Sequence, residues 1–127
     1  MDHLAIAVQD TEQALKIWRD KLGLKVLYAE KVNGGSVLLT HLDLGNTQLQ
    51  LLQPLDPHSA LAVAVNKKGA HLHHFCLEVN DVEKCQHAFR DAGIGTAAVM
   101  HEGTKGKRAL FINTNETDTV QVELIGE

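Results

Sequence analysis

The sequence predicts an α+β fold in which two paired βαβββ modules form one curved mixed sheet around a concavity. Three observations predict it. HLAIAVQD at 3–10 returns as HFCLEVND at 74–81, each running histidine, apolar, small, apolar, any residue, valine, polar, aspartate, with the two histidines 71 positions apart. Each copy is followed by a helix-patterned stretch that a glycine ends. Three strand-patterned runs then follow each helix.

In the first half, residues 3–9 alternate as a strand does, and Asp10 offers a side-chain acceptor to cap the helix TEQALKIWRDKL, with Gln13 three positions on. Gly23 stops that helix. The runs KVLYAE, SVLLTHLDL and TQLQLL follow, divided by the turn signals NGG at 33–35 and GN at 45–46. The second half repeats the order with HFCLEV, the helix DVEKCQHAFRDA closed by Gly93, and the strand-like runs GTAAVM, RALFIN and TVQVELI. Between the halves, PLDPHSALAVAVNKKGAH contains both prolines and an apolar stretch suited to one short helix. The expected organisation is a single domain over 1–127, with module one at 1–53, a linker at 54–70 and module two at 71–127.

At 127 residues and 44% hydrophobic content, the chain can bury a core without disulfides. A net charge of −4 leaves no basic field for nucleic acid or an anionic membrane, and three Phe, one Tyr and one Trp are too few for a base-stacking platform. No run reaches the ~18 apolar residues of a membrane span, and no signal segment opens the chain, so a cytoplasmic protein is expected. Cys76 and Cys85 have no metal-binding or redox spacing and read as reduced packing residues.

Strand parity divides the faces. Leu4, Ile6 and Val8 share one face of the first strand, while His3, Ala5 and Ala7 share the other. In the repeat, Phe75, Leu77 and Val79 match the packing face, and His74, Cys76 and Glu78 the other. The last strand of each half places Leu49, Leu51, Val122 and Leu124 on one side, with Gln48, Gln50, Gln121 and Glu123 opposite. Taken singly, each of these polar residues reads as part of a wet sheet face. Taken together, His3 corresponds to His74 and Gln50 to Glu123, so each half supplies one nitrogen and one oxygen donor.

Four such donors aimed at a shared concavity form a site for one divalent ion. Two imidazoles, an amide oxygen and a carboxylate with room for water suit octahedral Co²⁺, Ni²⁺ or Mn²⁺, or a catalytic Zn²⁺, and ligand type alone does not choose among them. Only Glu123 is charged, so the ion keeps a charge of about +1, which favours an oxyanion on a substrate that displaces water.

The stretches DHLAIAVQD, LGL, LGNTQLQLLQPL, HLHHFCLEVND and VQVELI together resemble the vicinal oxygen chelate superfamily along nearly the whole chain. Within it, the chain is most similar to the methylmalonyl-CoA epimerase family. The resemblance puts the family's metal ligands on His3, Gln50, His74 and Glu123. It implies a paired βαβββ fold, a homodimer and an acyl-CoA substrate, and an enzyme that inverts the centre beside a thioester carbonyl, with Glu123 as catalytic base. EGTKGKRALF at 102–111 resembles the family's glycine-containing loop, which offers Lys105, Lys107 and Arg108 to the substrate's phosphates or carboxylate.

Some family members place a second catalytic glutamate on the strand matching SVLLTHL at 36–42, which here has no carboxylate. His41 has the wrong parity to replace a residue at 38 or 40, and His71, His73 and His101 read as surface histidines. NTNETDT at 113–119 also lacks the histidine, proline and glycines common at that place in the family. Alternatives of the same fold are a glyoxalase I-type lyase, a ring-cleaving dioxygenase using His3, His74 and Glu123, and a metal-free protein that sequesters small molecules.

Overall fold

The computed structural model describes residues 1–127 and is α+β. The strands are β1 His3–Ala7, β2 Val26–Val32, β3 Val37–Asp43, β4 Gln48–Pro54, β5 His71–Glu78, β6 His101–Glu102, β7 Arg108–Phe111 and β8 Val122–Gly126. The helices are α1 Thr11–Leu15, α2 Ala60–Lys68 and α3 Val82–Asp91. No helix is long and apolar enough to cross a membrane. Contacts gather the chain into two compact units, His3–His73, and Met1–Asp2 with His74–Glu127.

In the unit His3–His73 the strands lie in the order β2-β3-β4-β1. β1 runs parallel to β4, while β3 is antiparallel to both β2 and β4. Ile6, Val8, Leu42, Leu49 and Leu51 are buried on one face with Ala14 and Leu15 of α1, as parity predicts for a sheet packed beneath a helix. Asp10 caps α1 from extended backbone and accepts a hydrogen bond from the Gln13 amide at 3.2 Å.

The expected single helix 11–22 is a correction. After Leu15 the chain winds as a π-helix over Lys16–Lys21, and the Leu22 amide donates to the Ile17 carbonyl at 2.9 Å, one residue beyond α spacing. Trp18 on this wider turn packs against the same apolar cluster. Gly23, at φ 79°, then reverses the chain as the sequence predicts. The stretch read as a linker carries α2, capped by Ser59, and its Leu61 packs against a second cluster of Val32, Leu39 and Leu52.

The unit containing His74–Glu127 has the strand order β5-β8-β7-β6. β5 is parallel to β8, and β7 is antiparallel to both β8 and β6. Strand, helix and three strands thus recur in the predicted order, and Asp81 caps α3 as Asp10 caps α1. The run GTAAVM is the exception. Within it only Thr96 forms a bridge, to Ile112, and the strand begins later at His101. The Gln86 side chain on α3 donates to the Ala97 carbonyl at 3.1 Å and the Ala98 carbonyl at 3.4 Å, drawing off acceptors that a strand ladder would use.

Candidate active site

The parallel register of β1 and β4 sets His3 opposite Gln48 and Ala5 opposite Gln50, so these side chains share one face. Ala5 and Ala7 are too small to cover that face beside the imidazole. Antiparallel pairing adds His41 opposite Gln50 and Tyr28 opposite His41. The His41 ring stacks on Tyr28, with centroids 4.4 Å apart and planes 9° apart, and meets the His3 ring edge-on at 5.9 Å. His41 is wholly buried. Its Nδ1 lies 2.9 Å from Gln48 Oε1, and its Nε2 lies 3.4 Å from Gln50 Nε2.

In the other unit, β5 and β8 set Cys76 opposite Glu123, and β7 sets Phe111 opposite the same residue. His74 Nε2 is 3.3 Å from Glu123 Oε1, and His101 Nε2 is 2.7 Å from Glu123 Oε2. Phe111 meets the His74 ring edge-on at 5.3 Å and stacks on the His101 ring at 5.0 Å. Burial pushes the Cys76 thiol well above its ordinary range, and the Glu123 carboxylate pushes it further. Cys76 therefore stays a thiol, as the sequence reading requires.

The two faces repeat one arrangement. In each, a first-strand histidine meets edge-on a ring that lies opposite the oxygen donor of the last strand: His3, His41 and Gln50 in one unit, His74, Phe111 and Glu123 in the other. All four predicted donors are buried, with His3 1%, Gln50 3%, His74 6% and Glu123 5% exposed.

The donor set fits a divalent ion by its chemistry. Two ligand atoms each ~2.1 Å from one ion at 90–110° lie about 3.0–3.4 Å apart. The 3.3 Å between His74 Nε2 and Glu123 Oε1 falls in that window.

His101 and His41 correct the sequence reading. His101, read as a surface histidine, is half-buried and holds Glu123. His41 does face away from Thr40, as its parity requires, but this puts it beside Gln50. The signal for it was the Gly45-Asn46 turn, which lies midway between the two residues and so makes them cross-strand partners. Glu30 alternates with Tyr28 on β2 and is half-buried on the face that carries His41.

The three basic residues read as substrate contacts stand differently. Lys105 is exposed on a turn at φ 57°. Lys107 Nζ lies 3.2 Å from Glu78, whose carboxylate holds the lysine's pKa up. Arg108 alternates with Ala109 and Phe111 on β7, is exposed, and lies 3.4 Å from Glu83 of α3.

The chain belongs to the Glyoxalase/Bleomycin resistance protein/Dioxygenase superfamily, whose sequence profile matches residues 2–111. Methylmalonyl-CoA epimerases are among its relatives. It is 32% identical over 130 residues to the ethylmalonyl-CoA/methylmalonyl-CoA epimerase of Cereibacter sphaeroides, covering 98% of this chain and 95% of that one. It is 31% identical over 126 residues to the mitochondrial methylmalonyl-CoA epimerase of Homo sapiens, covering 98% and 72%. A variant of the Streptomyces coelicolor methylmalonyl-CoA epimerase, solved in complex with 2-nitronate-propionyl-CoA, superposes with a TM-score of 0.88 at 26% identity, covering 100% and 96%.

Proposed function

We propose that this protein is an epimerase that interconverts the stereoisomers of methylmalonyl-CoA or a similar 2-acyl thioester, using one divalent ion held by His3, Gln50, His74 and Glu123. The observation that carries this reading is the buried pairing of His74 with Glu123 at 3.3 Å, in a chain with epimerase relatives. We take Co²⁺ as the ion, with Ni²⁺, Mn²⁺ and Zn²⁺ as alternatives that the same two nitrogen and two oxygen donors accept. When bound, the ion supplies positive charge that stabilises the enolate oxygen of a thioester substrate.

Glu123, on loosening from the ion to free Oε1, is the base assigned to the proton beside the thioester carbonyl, while His101 holds its Oε2. Inversion requires proton delivery to the opposite side of the same carbon. Glu30 is the carboxylate we assign to that step. Lys105, Lys107 and Arg108 are assigned to the phosphates or carboxylate of the substrate, and the working assembly is taken as a homodimer, which light scattering would size directly.

The test is deuterium entry at C2 of methylmalonyl-CoA in D₂O, with protein reconstituted in turn with Co²⁺, Ni²⁺, Mn²⁺ and Zn²⁺. Exchange that depends on the ion, and that His74→Ala abolishes together with ion binding while the fold persists, is the expected result. Exchange by a metal-depleted sample would overturn the mechanism. Tight ion binding without exchange would move the substrate to that of a glyoxalase-type lyase.

A further inference from the structure

We propose that His41 is a positioning residue that selects which end of the Gln50 amide is offered as a ligand. The inference rests on the reading of Gln50 as a metal ligand. A carboxamide has two ends of similar size and opposite character: the oxygen binds a cation, and the NH₂ does not. A glutamine ligand therefore needs something to turn it the right way.

Two contacts of His41 fit one arrangement. Gln48 Oε1 only accepts, so the 2.9 Å contact puts the ring proton on His41 Nδ1. Nε2 of a neutral ring is then an acceptor, and Gln50 Nε2, which only donates, lies 3.4 Å from it. The amide nitrogen is thus held by His41, and Gln50 Oε1 is directed away from it. The opposite flip would set two acceptors against each other on a buried face. Tyr28, stacked at 4.4 Å, keeps the imidazole in plane, and Gln48 fixes its tautomer.

The duplicated half supplies an internal control. The place of His41 is taken there by Phe111, opposite Glu123. Phe111 has no hydrogen-bonding atom, and the ligand it faces has two equivalent oxygens and needs no flip to be chosen. The nitrogen acceptor occurs in the half whose ligand is an amide.

The experiment is a Co²⁺ titration of metal-stripped protein, read by equilibrium dialysis and by the visible absorption of the bound ion, with circular dichroism as the control for folding. His41→Phe keeps a ring against Tyr28 and removes both nitrogens. It is expected to weaken Co²⁺ binding about ten- to a hundredfold. His41→Gln, which returns an acceptor near the Nε2 position, should recover most of that loss. The decisive comparison repeats His41→Phe in a Gln50→Glu background, where the ligand has no wrong end and the substitution should cost little. A His41→Phe protein that is folded and binds Co²⁺ like the parent, or an equal loss in both backgrounds, would overturn the inference alone. If the parent protein binds no Co²⁺, the metal reading fails and this inference falls with it.

Discussion

Cysteine chemistry and proton transfer can each be tested at single side chains. Cys76 is fully buried with its thiol pKa raised, whereas Cys85 on α3 is partly exposed. One equivalent of an alkylating reagent should therefore enter the native protein, at Cys85. Cys85→Ser should abolish labelling until denaturant is added, and modification of Cys76 in the folded protein would contradict its burial. Glu30→Gln tests the second proton transfer. Exchange from one stereoisomer of the substrate should persist while interconversion falls at least tenfold, as loss of a general acid or base does. Unchanged interconversion would remove Glu30 from the mechanism. The burial of His3, Gln50, His74 and Glu123 on polar sheet faces was legible because parity and repetition both mark them. The placement of Glu30, His41 and His101 was not, because it depends on which residues stand opposite in neighbouring strands. Parity within one strand carries no such register.

Helix starts were legible because a cap is local. Asp10 and Asp81 occupy equivalent positions, adopt extended backbone and accept from the amide three residues on, at 3.2 Å from Gln13 and 3.1 Å from Lys84. Asp10→Ala and Asp81→Ala should each lower stability by about 1 kcal/mol in chemical denaturation. A much smaller loss at both sites would mean that neither cap contributes. The end of β8 gives a sharper case. A Cβ on Gly126 would run into the Val79 carbonyl oxygen, and backbone cannot move aside as a side-chain tip can. Gly126→Ala is expected to cost roughly 1–3 kcal/mol. The π-helical turn and the missing strand at 95–100 lay beyond pattern reading for a common reason. In one a carbonyl pairs a residue further along than α spacing, and in the other a distant Gln86 side chain takes the carbonyls, and neither leaves a mark on hydrophobic periodicity.

Duplication governs the molecule as a whole. Each unit buries one histidine and one oxygen donor of the proposed set, His3 with Gln50 in one and His74 with Glu123 in the other. If those donors hold an ion, the folded chain binds it and the unfolded chain has lost the site, so the ion must stabilise the fold by mass action. With free Co²⁺ about a hundredfold above its Kd, the gain is about 2.7 kcal/mol, which for a chain of this size raises Tm by roughly 10 °C. Chelation should reverse the rise. His74→Ala should melt near the metal-free parent and should no longer respond to Co²⁺, since one of the four donors is gone. Lys105→Ala on the exposed turn should keep the full response. A parent whose Tm is indifferent to all four ions would show that the buried donors serve the fold alone.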